Sequence, residues 1–229
     1  MKIKAFLLTI IVILSLLLTI SCTKNREYDE AEVTIAAKEL LKKSEKLNYI
    51  YYGYGIEYEK NESEANGAYY KADSLSLERF GIETVADIEN LTYETFSNDL
   101  AYSVISTKLN GGSLDEDSTV MNYARYYQKT NALDGSNECI MVYKLAEVYL
   151  TDETEYLYDT LKVIGSEGEQ VLIQIDVKVT NSEEKEQIQT LDFTLIEESN
   201  GWRISSPTYV KFVDREYYED LQNKDKNKK

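Results

Sequence analysis

A strict alternation of residue types between positions 171 and 179 constrains this chain more than any other feature of its sequence. Every second residue from Val171 to Val179 is Val or Ile, and three of the four residues between them are polar. Side chains alternate across a β-strand, so the pattern predicts a strand with one aliphatic face and one polar face. Such a strand belongs in an antiparallel sheet that is covered on one side only. The rest of the chain must therefore supply strand partners and an apolar cover.

Further strands show the same period of two from about Glu138 onward, and they bring the expected sheet to between four and six strands. Asn200 and Gly201 stand where a two-residue hairpin loop requires positive φ, and Pro207 stops the last strand. The inward-facing residues of the strand before this hairpin are Leu191, Phe193 and Leu195.

Helical spacing dominates the first half of the chain. Apolar residues recur every three or four positions from Val33 onward, which predicts a helix that ends near Gly53. Thr84 and Asp87 have the spacing of a capping box at the start of a second helix, and Ser97 is the predicted N-cap of a third. Helices followed by strands predict an α+β fold, with the N-terminal helices packed on one face of a curved antiparallel sheet.

The N-terminus has the pattern of a bacterial export signal. Lys2 and Lys4 precede an apolar run over residues 5–20, which is shorter than the roughly 20 residues that span a hydrocarbon core. Residues 18–22, Leu-Thr-Ile-Ser-Cys, resemble the bacterial lipobox. The resemblance implies cleavage before Cys22 and acylation of its thiol, which anchors the protein at the extracytoplasmic face of the cell membrane. Ordinary secretion and an uncleaved anchor are the alternatives.

These boundaries divide the chain into four expected parts: a signal peptide over residues 1–21, a polar tether over 22–30, a single α+β domain over 31–222 and a disordered charged tail over 223–229.

With 25 Lys and Arg against 41 Asp and Glu, the formal net charge is -16. Such a surface repels nucleic acid and other polyanions. We therefore expect the membrane and an extracytoplasmic protein as partners, and no nucleic acid.

The residue types needed for most catalytic sites are missing. The sequence contains no His, which removes Ser-His-Asp and Cys-His nucleophiles and histidine zinc sites. Cys139 is the only Cys besides Cys22, and its apolar surroundings predict a buried, unreactive thiol. We expect no enzymatic activity, no metal and no cofactor. A catalytic pair of carboxylates is the open alternative.

Tyrosine is unusually frequent, with 20 residues in all, and it clusters just after the first predicted helix. Grouped on the surface, the rings would form a stacking platform or line a pocket for a sugar or peptide; otherwise they pack the helix onto the sheet. For contact with a protein partner, the candidates are the loops at residues 111–117 and 151–155. The candidate ligand-binding residues are Tyr51, Tyr52, Tyr54, Tyr69 and Tyr70.

The C-terminal strands carry a family resemblance. Leu-Asp-Phe-Thr-Leu at residues 191–195 and Asn-Gly-Trp-Arg-Ile at 200–204 resemble nuclear-transport-factor-two-like domains. Residues 86–92 and 96–97 resemble the helical region of the cell-wall DL-endopeptidase inhibitors of Gram-positive bacteria, the IseA-like group.

This resemblance covers residues 33–213 and implies a cystatin-like or nuclear-transport-factor-two-like fold, with helices on a strongly bent sheet. It also implies a non-catalytic binding protein that modulates or inhibits a peptidoglycan hydrolase. The alternative function is that of a small-ligand or glycan-binding lipoprotein with a Tyr-lined pocket.

Overall fold

The computed structural model describes residues 28–63, 67–111, 123–146 and 148–213. The predicted signal peptide, Cys22, most of the tether, most of the 111–117 loop and the charged tail lie outside the described residues. Within the described residues, no helix is both long and apolar enough to cross a membrane.

The described residues form a mixed α+β fold, as predicted, but two short strands lie between the first and second helices instead of all strands following the helices. The helices are α1 Glu30–Tyr52, α2 Ser74–Phe80, α3 Val85–Thr95 and α4 Asn98–Val104, which runs into a π-helical turn at Ile105–Leu109. The strands are β1 Tyr58–Ser63, β2 Tyr69–Ala72, β3 Tyr126–Thr130, β4 Asn137–Tyr143, β5 Glu153–Glu167, β6 Gln170–Thr180, β7 Glu186–Glu198 and β8 Gly201–Ile204.

The strands form two antiparallel sheets rather than the one sheet expected from the sequence. The first has the order β1-β2-β4-β3 and the second the order β5-β6-β7-β8. The prediction included only β4 of the first sheet, because β1, β2 and β3 have four to six residues each and no alternating apolar pattern. Buried residues of both sheets and of α1 nevertheless belong to one contiguous hydrophobic core.

The second sheet confirms the strongest pattern in the sequence. All five alternate residues from Val171 to Val179 in β6 have 0% exposed surface. Its neighbour β7 buries Leu191, Phe193 and Leu195, also as predicted. Since α1 packs against β5 and β8, the aliphatic face of this sheet lies against the helix and the polar face is left to solvent.

The β7–β8 hairpin differs in detail from the expected two-residue loop with positive φ at Asn200 and Gly201. Glu198 pairs with Gly201, so the turn residues are Ser199 and Asn200. Gly201 has φ of 100°, whereas Asn200 has no positive φ. A turn followed by a glycine with positive φ is the arrangement of hairpins with a glycine bulge.

The predicted helix starts are confirmed, with one change in chemistry. Thr84 and Asp87 form the capping box of α3. Ser97 is the N-cap residue of α4, but its side chain makes no capping bond. Instead Glu198 accepts hydrogen bonds from the backbone N and the Nδ2 of Asn98, both at 2.9 Å. A carboxylate at this position is favourable because a helix N-terminus carries partial positive charge.

The C-terminus of α1 joins the two sheets. Tyr126, the first residue of β3, donates from its hydroxyl to Ile50 O at 2.9 Å, and Arg125 donates to Tyr51 O at 2.9 Å and to Gly53 O at 2.5 Å. The carbonyl of Tyr52 accepts from the backbone N atoms of residues 149 and 150, at 2.7 and 2.8 Å. Partners near each sheet thus satisfy the carbonyls that a helix end leaves open.

Gly55 is required where the chain leaves this helix end. Its φ is +73°, and a Cβ placed there would lie 2.2 Å from the hydroxyl oxygen of Tyr126. That hydroxyl also accepts from Ile56 N and from Arg125 Nε, each at 3.1 Å. It therefore cannot move without breaking bonds at the end of α1.

We expect Gly55→Ala to destabilise the protein more than Gly135→Ala. Gly135 has nearly the same φ, +72°, but no atom within 4 Å of an added Cβ. Both changes carry the left-handed penalty of about 1–2 kcal/mol, and only Gly55→Ala adds a steric penalty of about 1–3 kcal/mol. Urea unfolding of both variants measures the difference, and equal losses would contradict this account of Gly55.

Candidate functional site

A cleft of about 690 Å³ opens between the second half of α1, the start of β5 and the segment that follows β8. Its walls combine aromatic rings, carboxylates and small polar groups. Clefts of this size are in the usual range for small-molecule sites. The lining residues are Glu45, Asn48, Tyr49, Tyr54, Leu150, Thr151, Asp152, Glu153, Thr154, Tyr156, Tyr209 and Val210.

Hydrogen bonds to Thr208 hold the floor of the cleft. Tyr156 donates from its hydroxyl to Thr208 O at 2.7 Å, and Asn48 Nδ2 donates to Thr208 Oγ1 at 3.1 Å. All three side chains are buried, and burial raises the pKa of the Tyr156 hydroxyl. These bonds connect α1, β5 and the segment after β8, so the floor is fixed by three separate parts of the fold.

Three tyrosine rings keep an accessible surface around this floor. Tyr49, Tyr54 and Tyr209 expose 37%, 61% and 36% of their surface respectively. The ring of Tyr209 packs on the ring of Tyr52, with the centroids 4.8 Å apart. The floor residues Asn48 and Tyr156 are buried and bonded to Thr208, so a ligand would meet the accessible rings first.

The cleft is also acidic. Asp152 is fixed by a hydrogen bond that its Oδ2 accepts from Phe212 N at 2.9 Å. Glu45 and Glu153 are exposed residues at the rim, and partial burial of the Glu45 carboxyl raises its pKa. The lining residues include these three carboxylates and no Lys or Arg.

A second, smaller cleft of about 330 Å³ lies on the other side of Tyr54. Its lining includes Arg125, Lys60 and Lys144, so the two clefts differ in charge. Arg125 is 6% exposed and bonded to the carbonyls at the end of α1, and Lys144 lies 5.4 Å from the ring centroid of Tyr70. Two of the three cations thus already contact parts of the protein.

The five tyrosines predicted as ligand contacts do not lie together. Tyr54 lines both clefts, and Tyr52 contacts the larger one through Tyr209. Tyr51 is 1% exposed, and its hydroxyl lies 2.6 Å from Thr92 Oγ1 in the core. This last position matches the interpretation in which the rings pack the helix onto the sheet.

Tyr69 and Tyr70 lie in β2, away from the larger cleft. Adjacent residues in a strand point to opposite faces of the sheet, so these two rings have different neighbours. On one face, Tyr70 packs on Tyr58 with ring centroids 5.0 Å apart. On the other face, Tyr69 packs on Tyr127 and Tyr143 at 4.8 and 5.2 Å. A role for Tyr51, Tyr69 or Tyr70 in binding a ligand stays a prediction.

Only some of the residues that line the cleft were predicted from the sequence. The predicted loop at residues 151–155 supplies Asp152 and Glu153, although it was proposed for contact with a protein partner. Tyr156 and Tyr209 were not among the candidates. Tyr156 looks like any strand residue, and Tyr209 follows Pro207 in a segment without periodicity. Thr208, which contacts α1 and β5, helps to bring them together.

Neither a candidate metal site nor the predicted buried thiol is found in the described ranges. No cluster of three or more His, Cys, Asp or Glu there could hold a metal ion. Cys139 is half-buried rather than buried as expected. Its neighbours Ile140 and Val142 face the core, so the alternation of β4 turns Cys139 toward the opposite face.

Comparison with protein-family models, with curated proteins and with solved structures found no match.

The buried tyrosine hydroxyls predict that the protein becomes less stable at alkaline pH. Burial raises the pKa of Tyr51, Tyr126 and Tyr156 above the ordinary value of 10.0, and raises the pKa of Tyr52 to about 12. The unfolded chain therefore loses these protons first, and stability present below pH 10 is lost as the pH rises toward 12. Each such phenol contributes a slope of about -1.4 kcal/mol per pH unit.

We expect the free energy of unfolding, measured in urea between pH 9 and 12, to fall steeply above pH 10. Tyr51→Phe should make the fall less steep, because it removes one titrating group. Tyr102→Phe serves as the control, since Tyr102 is 67% exposed. An equal change of slope in both variants would contradict the assignment to buried phenols.

Proposed function

We propose that this chain is a lipid-anchored, extracytoplasmic, non-catalytic binding protein, and that the larger cleft is its ligand site. The observation that carries the proposal is the combination of accessible tyrosine rings and carboxylates around a fixed floor. Ligand sites commonly combine a concave aromatic surface with a few placed polar groups. The proposal takes up the alternative expected from the sequence, a Tyr-lined pocket for a small ligand or glycan.

The residue types in this cleft support a binding role. The chain has no His, and burial raises the pKa of Tyr156, which keeps this phenol protonated near neutral pH. The rings and carboxylates are suited to stacking, hydrogen bonding and charge recognition.

The second candidate function is the modulation of a cell-wall hydrolase, as the resemblance to the IseA-like group implies. It is favoured by the position of residues 151–154, which the sequence marked for protein contact and which form one wall of the cleft. A nuclear-transport-factor-two-like fold would accommodate the helix α1 on the long strands β5 to β7. For this role, the acidic cleft would be the surface that meets a basic partner.

Saturation-transfer NMR with a panel of glycan and peptide fragments tests the ligand site. We expect at least one fragment to bind, and Tyr54→Ser to weaken it about two- to tenfold, because one ring–ligand contact is lost. Tyr102→Ser is the matched control, since Tyr54 and Tyr102 are 61% and 67% exposed and only Tyr54 lines a cleft. If no fragment shows Tyr54-dependent binding, the ligand site is refuted.

The anchor is tested separately by Cys22→Ser in the full-length precursor expressed in a Gram-positive host. We expect the wild-type chain in the membrane fraction with an acylated first residue, and the variant in the medium or unprocessed, because two or three acyl chains are needed for stable attachment. Mass spectrometry of the N-terminal peptide measures this. An unmodified Cys22 on a membrane-bound chain would exclude the lipid anchor.

A further inference from the structure

We propose that the larger cleft recognises an organic ammonium group, an inference that rests on the proposed function of this cleft as a ligand site. The group is one that carries positive charge on an alkylated nitrogen, as at the end of a lysine side chain or in a quaternary ammonium headgroup. The argument depends on the charges that line the cleft, on the partners of those charges and on the accessible aromatic rings.

Charge at the cleft is of one sign. Asp152, Glu45 and Glu153 line it, and no basic residue does. The lysines adjacent in sequence are held elsewhere: Lys46 Nζ donates to Phe80 O at 2.8 Å, and Lys211 Nζ lies 5.3 Å from the ring centroid of Tyr149. A cationic ligand is therefore favoured by the lining itself.

Two of these carboxylates lack partners that would neutralise them. Among the described residues, neither the Glu45 nor the Glu153 carboxylate has a hydrogen bond or an ion pair, whereas Asp152 accepts one from Phe212 N. Burial disfavours the charged form of Glu45, as the raised pKa indicates. A bound cation would offset that cost, since an opposite charge nearby stabilises the ionised carboxylate.

The aromatic lining suits the same ligand. Rings attract cations through their negative faces, and tyrosine cages are a known means of binding ammonium groups. Tyr49, Tyr54 and Tyr209 are each at least one-third exposed at the cleft. Neutral sugars could stack on the rings and donate hydroxyl hydrogen bonds to the carboxylates, but they would not neutralise the carboxylate charge. Anionic ligands would be repelled by that charge.

Four probes separate charge from shape. Choline and Nα-acetyl-lysinamide carry the ammonium group, whereas 3,3-dimethylbutanol and Nα-acetyl-norleucinamide are their neutral counterparts of similar size. Titration is followed by chemical-shift changes in the full chain at low ionic strength. We expect both cations to bind and both neutral compounds to bind at least about fivefold more weakly, and added salt to weaken the cations.

Matched variants locate the effect. Glu153→Gln and Glu45→Gln should each weaken the preferred cation about fivefold. Glu169→Gln removes the same charge from the hairpin at the opposite end of β5 and should leave affinity unchanged. The stronger of the two cations shows whether the natural ligand is a peptide amine or a quaternary ammonium headgroup.

The outcomes distinguish this inference from the function on which it rests. If the neutral compounds bind as well as the cations, or if Glu169→Gln weakens binding as much as Glu153→Gln, recognition of an ammonium group is refuted and Tyr54-dependent binding still supports the cleft as a ligand site. If no probe and no glycan or peptide fragment shows Tyr54-dependent binding, both proposals are refuted.

Discussion

The carbonyl groups at the C-terminus of α1 are the constraint on which the rest of the structure depends. A helix end leaves its last carbonyls without partners inside the helix, and this end is buried, so leaving them open would be costly. Arg125 and Tyr126, at the start of β3 in the first sheet, satisfy three of them. Backbone amides of residues 149 and 150, just before the second sheet, satisfy a fourth. The positive charge of Arg125 also suits the negative end of the helix dipole.

This constraint positions the larger cleft. Tyr49 and Asn48 lie in the last turns of α1, and Tyr54 follows directly after the anchored carbonyls, so their positions are set by the same bonds. The opposite wall begins at Leu150, whose amide is bonded to Tyr52 O at 2.8 Å. Thr208 holds the segment after β8 in place through hydrogen bonds with Tyr156 and Asn48. A site on a rigid framework needs little ordering when a ligand binds, which favours affinity.

The second sheet could be predicted and the first could not, for a physical reason. In β6 one face is buried and the other is not, so burial imposes a period of two on the sequence. In β1, β2 and β3, tyrosines and charged residues lie on both faces of the sheet. A tyrosine ring can pack against other residues while its hydroxyl stays polar, so burial imposes no alternation of residue types there. The same ambiguity hid the cleft: Tyr51 and Tyr54 are three residues apart, yet one is 1% and the other 61% exposed. Sequence spacing could not show that Tyr209 would line the same cleft as Tyr54.

Arg125 is one reason why the two neighbouring clefts of this acidic chain differ in the charge of their lining residues. Its guanidinium lines the smaller cleft but is bonded to carbonyls at the end of α1, so the fold uses this charge internally. The larger cleft keeps three carboxylates without a basic lining residue, within a chain of net charge -16. Long-range attraction therefore concentrates cations near the protein, while local geometry decides where one is held. Accessible rings and unpartnered carboxylates coincide at the larger cleft, so that is where a cation gains both interactions.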